Sequence, residues 1–532
     1  MDQHHGVGLI GYLSKRFFLN VIVFGSDMKH VNIFKIYLIL SILLTLSMQL
    51  VNINVYITDY HGFRQTQTAI TVFYFLEDGI KMPYLTPVFG WPWSVPFEFP
   101  IYQILVTLFI KLFNISNIDL AGRIVSLIFY YLSLYVVYMI LKNLNVNTNS
   151  IAIILIFIIL SPVYIFWSRT FMIESTALFF SLLTIYLIIF ISENKTGEKY
   201  FYLLILLFGI LATLTKITTF IVSLVFILFY FLFIKPNNIL TKKTIFIFIT
   251  ILISIIIGFA WTKYTDSIKS LNPIASYVTS KNLTSWNFGT FQQRVNFNSY
   301  IEIYRHIIEN NGYAIIILIF FPVIFIGNIK EKRLILVCLG VFITSIMVLF
   351  NLYRVHNYYY YANNLYLSIA IALFISSFVI NIKKGYLLHF GFLFILLISV
   401  YSYKLTYYTQ HTSDQNYNRV VNIAKLIKEN TDKNDIIYIK GLDWSSELPY
   451  YSKRKAIMIP GWGQIDIGNS QFKNILENSL NDNNKIGALV LCGLKSEEIV
   501  QRLKYFNFKN MNNYGDEHCL LFLNKNPKKI IY

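Results

Sequence analysis

The chain has 532 residues, of which 56% are hydrophobic, 17% are aromatic and only 14% are charged. An ordinary soluble domain has about 25% charged residues, so this composition excludes a water-soluble fold. The formal net charge of +18 is typical of some nucleic-acid-binding proteins, but here Lys and Arg separate hydrophobic blocks instead of clustering on one soluble face. The composition therefore predicts an integral membrane protein.

The first 30 residues contain a short apolar run, residues 17–24, which is preceded by Lys15 and Arg16. No small-residue cleavage site follows this run, so we expect a cytoplasmic segment over residues 1–30 and no cleaved signal peptide. Met28 is an alternative start, because a predicted span begins a few residues after it.

Between residues 31 and 411, apolar blocks of about 17 to 22 residues recur, which is the length that crosses a hydrocarbon core. Basic residues fall in alternate connectors between these blocks, at Lys142, at Lys195 and Lys199, at Lys235, Lys242 and Lys243, at Lys330, Lys332 and Arg333, and at Lys383 and Lys384. By the positive-inside rule these connectors are cytoplasmic. We therefore predict an all-α membrane domain of about eleven spans, with the N-terminus inside and the C-terminus outside.

Two predicted outer connectors are long, residues 56–119 and residues 263–312. Loops of this length without structure of their own are uncommon unless they are functional. The first contains Pro100–Phe113, an apolar run shorter than a span, which we interpret as an interfacial helix on the membrane surface. A short true span is the alternative, but it would invert every later connector and break the charge pattern.

The densest polar cluster of the chain, residues 58–68, follows the first predicted span. Ionisable groups at the mouth of a helix bundle are costly, so such a cluster indicates a functional site. Arg64 and Gln67 are one helical turn apart and can face a common site, with Asp59 nearby. The alternative is the solvated start of a loop.

Two further features lie at predicted outer ends of spans. Arg169 and Glu174 could simply pair with each other, or Glu174 could face Asp59 or Arg64 across a cavity. Lys216 stands between two apolar blocks, on the side that should be poor in positive charge. Its ammonium group could extend to lipid headgroups, or it could bind a lipid-linked phosphate.

A last outer turn contains Arg354, His356, Tyr358 and Tyr359. Tyrosine at a membrane interface ordinarily belongs to an aromatic belt. Because Arg354 and His356 are interleaved with these rings, a phosphate or sugar contact is the alternative.

From residue 412 the chain becomes polar, with alternating helix and strand patterns. We predict a small soluble extracytoplasmic α/β domain over residues 412–532. Its predicted helices and strands are Val420–Glu429, Ile436–Ile439, Ala456–Ile459, Phe472–Leu480, Ala488–Cys492 and Leu520–Leu523. For Cys492 and Cys519 we favour buried packing over a disulfide, and Cys338 lies in a predicted span.

Over most of residues 53–361 the pattern resembles the GT-C superfamily of polyprenyl-phosphate-dependent glycosyltransferases, near the protein O-mannosyltransferase and aminoarabinose transferase branch. The resemblance is carried by the order and spacing of Asp59, Arg64, Pro100, Arg123, Arg169, Glu174, Lys216 and the turn His356–Tyr359. Family members often have two adjacent acids after the first span, whereas Tyr60 follows Asp59 here. No cofactor is therefore predicted with certainty, and a divalent metal ion stays open.

The resemblance implies a membrane glycosyltransferase that moves a sugar from a polyprenyl-phosphate-linked donor to an acceptor hydroxyl, with inversion, at the outer face of a bacterial plasma membrane. Asp59 or Glu174 would be the general base. The expected substrate or lipid-phosphate contacts are Arg64, Gln67, Arg169, Lys216, Arg354, His356, Tyr358 and Tyr359. The expected partners are the donor, membrane lipids and an acceptor glycan, lipid or protein, and not nucleic acid.

Two other functions stay open on the sequence. A transporter or flippase of lipid-linked sugars would also bring polar residues into a helix bundle, although its charges should lie near mid-membrane. A non-catalytic protein of envelope-polysaccharide assembly is the other alternative.

Overall fold

The structure is a computed structural model. The residues that it describes are 33–193, 199–313, 331–380, 382, 385–408, 414–462, 465–480, 484–508 and 518–524. The predicted N-terminal segment 1–30 lies outside this set, and so do the apolar block 314–330 and the basic residues Lys195, Lys330, Lys383 and Lys384.

Helices dominate the chain before the tail. In chain order they are α1 (Ile33–Leu50), α2 (Gly62–Asp78), α3 (Ile101–Phe113), α4 (Ile118–Asn143), α5 (Thr148–Ile159), α6 (Pro162–Trp167), α7 (Glu174–Glu193), α8 (Lys199–Phe229), α9 (Lys242–Lys269), α10 (Thr284–Phe288), α11 (Phe291–Val295), α12 (Phe297–Asn310), α13 (Lys332–Val348), α14 (Phe350–Val355), α15 (Tyr360–Val379) and α16 (Gly385–Tyr403). Short 3-10 or π segments are Tyr230–Ile234, Pro236–Asn238, Ala275–Val278, Asn357–Tyr359 and Lys404–Tyr408.

Within the described ranges, seven helical segments are long and apolar enough to cross a membrane. They are Ile33–Leu50, Ile118–Asn143, Glu174–Glu193, Lys199–Ile234, Lys242–Lys269, Asn357–Val379 and Gly385–Tyr408. The predicted class, a helical membrane protein with a small α/β tail, is confirmed. The number of eleven spans stays a prediction, because one of these spans falls on residues 314–330.

The chain reverses its direction at Lys216, inside the segment that reads as one helix, α8. The backbone of Lys216 is extended (φ −166°, ψ 101°), and a Cβ placed on Gly209 would be 4.0 Å from Cζ of Phe220. The segment that follows the reversal runs from Lys216 to Lys235. The neighbouring helix α7 contacts both of its ends, because Glu174 pairs with Lys216 and Glu193 pairs with Lys235. Lys216 therefore lies at the tip of a helical hairpin.

The first long loop contains the predicted short helix as α3. Tyr102, Val106 and Ile110 on one face are buried against α2 and α4, whereas Leu112 and Phe113 are 77% and 60% exposed. A helix with one buried and one exposed apolar face is typical of a membrane interface. Its position on the membrane surface stays a prediction.

The tail contains a four-stranded sheet with helices around it. In chain order its elements are α17 (Asp414–Asn430), β1 (Ile436–Lys440), α18 (Glu447–Ser452), β2 (Lys455–Ile459), α19 (Ser470–Ser479), β3 (Ile486–Cys492), α20 (Ser496–Tyr505) and β4 (Cys519–Leu523). The strand order is β2-β1-β3-β4, with β1 parallel to both β2 and β3 and with β4 antiparallel to β3. All six predicted elements are present, and α18 and α20 are additional helices.

The tail packs directly onto the two long loops. Residues 87–90 run along β2, where Ala456 donates its N–H to Pro87 O at 2.9 Å and Met458 donates its N–H to Val88 O at 2.8 Å. Val88 and Phe89 of the first loop and Ile274 of the second are buried in the same hydrophobic core as the strands. The three segments therefore form one packed body above the helix bundle.

The prediction that Cys492 and Cys519 are packed in the tail without a disulfide is wrong. Cys492 and Cys519 form a disulfide between the neighbouring strands β3 and β4, with Cα atoms 4.0 Å apart. The antiparallel register places these two residues directly opposite each other, which brings their side chains together. Cys338 is a buried free thiol.

Candidate functional site

The candidate site is centred on a buried ion pair at the tip of the α8 hairpin. Nζ of Lys216 donates a hydrogen bond to Oε1 of Glu174, the first residue of α7, and each side chain is only 3% exposed. Oε2 of Glu174 is buried and has no hydrogen-bond partner among the described residues. A buried pair with an unsatisfied oxygen is costly for stability alone, which favours a functional role.

Aromatic rings of the turn before α15 cover Lys216. Its Nζ lies 5.0 Å from the ring centroid of Tyr358 and 4.6 Å from that of Tyr359. Ring faces attract a cation and exclude water from it. The turn with Tyr358 and Tyr359, which the sequence indicated as a possible phosphate or sugar contact, thus packs against the Lys216–Glu174 pair.

Arg64 brings a second cation to this cluster. Its guanidinium donates to Oε1 of Gln67 at 2.6 Å, as the one-turn spacing predicts, and pairs with Oε1 of Glu98 at 2.6 Å. Burial lowers the pKa of Arg64, but the charges of Glu98 and Glu174 and the nearby tyrosines raise it more, so the net direction is upward. Arg64 therefore stays cationic beside Glu174.

Two histidines complete the wall of the cluster. The rings of His61 and His356 are 5.3 Å apart, and each lies 5.2 Å from the ring of Tyr358. Burial, with a further contribution from His306, lowers the pKa of His61 to about 4. Burial and then His61, Arg64 and Lys216 lower that of His356 to about 3. Both imidazoles are thus neutral at physiological pH.

Asp59 faces a neighbouring network. Its Oδ2 pairs with Arg123 at 3.2 Å, its Oδ1 accepts a hydrogen bond from Gln65 Nε2, and the carboxylate side chain is 3% exposed. Gln65 also accepts the N–H of Phe171 at 3.0 Å. Because Phe171 lies three residues before Glu174, this amide links the Asp59 network to the start of α7.

The remaining sequence-predicted residues have partners of their own. The Arg169 guanidinium donates a hydrogen bond to the carbonyl oxygen of Asn52 at 3.1 Å. Arg354 pairs with Glu302 at 2.6 Å on the second long loop. The structure therefore joins Arg64, Gln67, Glu174, Lys216, His356, Tyr358 and Tyr359, whereas Asp59, Arg169 and Arg354 belong to adjoining networks.

Two acids near the site were missed by sequence reasoning. Glu98 lies between Phe97 and Phe99, and its pairing with Arg64 brings the first loop to the cluster. Glu447 of the tail contacts the start of α2, since a Cβ on Gly62 would be 2.5 Å from Glu447 Oε1. A lone acid in an aromatic segment was the only available signal for either residue.

A bound metal ion needs several His, Cys, Asp or Glu side chains grouped at one point of the described chain. Within that part of the chain, no three His, Cys, Asp or Glu side chains are grouped so that they could hold a metal ion.

A sequence model of the family described as dolichyl-phosphate-mannose-protein mannosyltransferase matches residues 94–261. This match covers α3 and the hairpin tip at Lys216. Comparison with curated protein sequences gave no match.

Two solved structures share the fold over most of the chain. ArnT from Cupriavidus metallidurans, bound to undecaprenyl phosphate, superposes with a TM-score of 0.61 at 11% identity, covering 92% of this chain and 98% of ArnT. The oligosaccharyltransferase AglB from Archaeoglobus fulgidus, in complex with an inhibitory peptide and a dolichol-phosphate, superposes with a TM-score of 0.54 at 10% identity, covering 90% of this chain and 70% of AglB. The predicted resemblance to GT-C glycosyltransferases is confirmed by this shared fold and the family match.

Proposed function

We propose that this chain is a membrane glycosyltransferase that uses a polyprenyl-phosphate-linked sugar as its donor. The observation that carries the proposal is the buried cluster of Lys216, Glu174 and Arg64 under the rings of Tyr358 and Tyr359, in the fold of ArnT. The ArnT and AglB structures hold undecaprenyl phosphate and dolichol-phosphate, respectively. A lipid phosphate is therefore the ligand class that we assign to the cations of this cluster.

The donor phosphate would bind between Lys216 and Arg64. Both are cations in a water-poor site, where fixed charges stabilise the negative charge that develops on a departing phosphate. Gln67 and Glu98 hold the Arg64 guanidinium in one orientation. His356 is neutral, so it would contribute a hydrogen bond and not a charge; its buried Nδ1 has no partner among the described residues.

Asp59 is the proposed general base. In a single inverting displacement, the acceptor hydroxyl attacks the sugar opposite the leaving phosphate, so the base and the phosphate-binding cations lie on different sides of the sugar. Asp59 belongs to the network next to Lys216 and not to the ion pair itself. Arg123 and Gln65 orient the Asp59 side chain, and an oriented carboxylate can accept the hydroxyl proton as a general base.

Glu174 then has a positioning role. Its hydrogen bond from Lys216 fixes the ammonium group at the hairpin tip and neutralises it before the donor arrives. A base held by the same lysine as the leaving phosphate would lie on the wrong side for inversion. This arrangement favours Asp59 over Glu174 as the proton acceptor.

The proposed location is the outer face of a bacterial plasma membrane. Nucleotide sugars are not supplied there, which is why a lipid-linked donor is required. The disulfide Cys492–Cys519 supports this side for the tail, because disulfides persist in oxidising compartments. We further propose that the tail positions the acceptor. The transferred sugar is proposed to be a hexose or a pentose.

A transfer assay tests the proposal. Membranes containing the protein would be supplied with a polyprenyl-phosphate sugar, and transfer would be measured for wild type, Asp59→Asn, Glu174→Gln and Lys216→Ala. Lys235→Ala is the matched control, because Lys235 forms the equivalent pair with Glu193 at the other end of α7. We expect loss of transfer in Asp59→Asn and Lys216→Ala only. Full activity in all variants would contradict the assignment, and lipid translocation without transfer would favour the flippase alternative.

A further inference from the structure

The tail presents an exposed aromatic and acidic surface at the carboxyl ends of its parallel strands. Asp443 and Trp444 follow β1, and Trp462 follows β2. In α/β sheets, ligands bind outside the carboxyl ends of the strands, where the chain order switches direction. The order β2-β1-β3 places the switch point between β1 and β3, so Asp443, which follows β1, lies beside it.

The side chains at this edge are joined to one another and open to solvent. Nε1 of Trp462 donates to Oδ1 of Asp443 at 2.5 Å, and its ring lies 5.6 Å from that of Tyr277 on the second long loop, at 72°. Trp462 is 46% exposed and Tyr277 is 40% exposed. Asp443 has a left-handed backbone (φ 52°), which turns the chain so that its carboxylate meets the Trp462 ring. Exposed apolar groups that lie together, in contrast to single ones, mark interaction sites.

The residue that follows Asp443 contacts the first long loop beside the candidate site. Trp444, next to Asp443, lies 5.0 Å from Phe63 and 5.5 Å from Phe97. The Phe97 ring in turn lies 6.0 Å from Cζ of Arg64. Trp462, Asp443 and Tyr277 form the surface that we name the tail platform, and the residue after Asp443 contacts the first long loop close to Arg64.

We infer that the tail platform is the binding subsite for a saccharide acceptor. A sugar ring offers an apolar C–H face that packs on an aromatic ring, and hydroxyl groups that donate to a carboxylate. The platform has both partners side by side. A peptide that binds by strand addition would need a free strand edge, and residues 87–90 already occupy that of β2, the strand that leads to Trp462.

This inference rests on the proposed function, because it names the acceptor class of the same transfer reaction. The experiment uses membranes of the source cells that lack the protein, which contain labelled lipid-phosphate sugars and the native acceptor. Full-length variants are added back, and transfer is measured as the amount of membrane acceptor is varied. Donor hydrolysis without acceptor is measured in parallel.

We expect Trp462→Ala and Asp443→Asn to raise the half-saturating acceptor concentration about tenfold, which corresponds to about 1.4 kcal/mol of binding. Donor hydrolysis should not change, and the labelled product should be degraded by glycosidases. Trp91→Ala is the matched control, since Trp91 is 39% exposed on the first loop and lies outside the platform. Trp462→Phe should retain most of the acceptor affinity, because it keeps an aromatic ring at this position. It therefore distinguishes loss of the ring from misfolding of the tail.

Three outcomes would overturn the inference. Equal acceptor affinity in Trp462→Ala and Trp91→Ala would exclude the platform from acceptor binding. Release of the label in peptides by protease would identify a protein acceptor. Absence of both transfer and donor hydrolysis in wild type would instead refute the proposed function, and the platform assignment with it.

Discussion

Nζ of Lys216 donates a hydrogen bond to Oε1 of Glu174 at the point where the chain reverses between two membrane helices, and 3% of each side chain is exposed. The pair takes two charges out of water, and Glu174 keeps one oxygen without a described partner. Desolvation of two charges is expensive, and apolar residues in their place would often be as stable. The pair therefore indicates a function that needs these charges.

The first prediction concerns the stability of this pair. Lys216→Met leaves Glu174 as an unpaired buried charge, which costs about 3–5 kcal/mol. The double variant Lys216→Met with Glu174→Gln removes both charges and should melt close to wild type. Thermal unfolding in detergent measures both variants. A double variant that is less stable than Lys216→Met would contradict the predicted coupling.

The second prediction separates the two acids kinetically. Asp59→Asn should lower kcat by about 10²–10⁴-fold, the usual contribution of a general base, with unchanged KM for the donor. Glu174→Gln should keep most of kcat, because its amide oxygen can still accept the hydrogen bond from Lys216, and should alter mainly the donor KM. Steady-state transfer kinetics measure this split. The reverse pattern would make Glu174 the base.

The third prediction concerns pH and Glu447. Burial raises the pKa of Glu447 to about 7 in the folded protein, above that of an unfolded glutamate, while a hydrogen bond with Ser445 acts weakly in the opposite direction. The folded state therefore holds this proton longer than the unfolded state. Its contribution to stability is full below about pH 4.3 and is lost as the pH rises through about 7.

Melting temperatures between pH 5 and pH 8.5 test this effect. Glu447→Gln should lose less stability over that range than wild type, because the amide cannot ionise. Glu477→Gln is the control, since Glu477 is 66% exposed on α19. Parallel pH profiles for wild type and Glu447→Gln would contradict the assigned burial.

The fourth prediction concerns the tail disulfide. With a sequence separation of 27 residues, the link between Cys492 and Cys519 should stabilise the tail by about 3 kcal/mol. Limited proteolysis of Cys492→Ser with Cys519→Ser should cleave the tail faster than in wild type, whereas Cys338→Ser should not. Alkylation of unfolded, unreduced protein should label Cys338 only. Three labelled cysteines would disprove the disulfide.

Much of the architecture followed from the sequence for clear physical reasons. Apolar block length identified the spans, and the Lys216 hairpin tip was predicted because a single cation interrupted two such blocks. In the tail, strands such as Ile436–Lys440 were recognised as short, buried, β-branched runs. Helix α18 was missed because Pro449 within six residues resembles a loop.

The pairing of the site residues could not be read from the sequence. The partners of Asp59 and Arg64 are Arg123 and Glu98, which are 64 and 34 residues away along the chain. Such contacts depend on how helices and loops pack against each other. This packing cannot be predicted from a local sequence pattern. The disulfide was missed for the same reason. It depends on which strands pair and in which register, and sequence periodicity does not determine either.

The central claim is that the Lys216 cluster binds a lipid phosphate, and binding of undecaprenyl phosphate to the purified full-length protein tests it most directly. Wild type and the double variant Lys216→Met with Glu174→Gln would be compared by titration in nanodiscs, with Lys235→Ala as the control at the opposite helix end. The account predicts at least about tenfold weaker binding in the double variant, equivalent to about 1.4 kcal/mol, and unchanged binding in Lys235→Ala. Equal affinity of wild type and the double variant would contradict it.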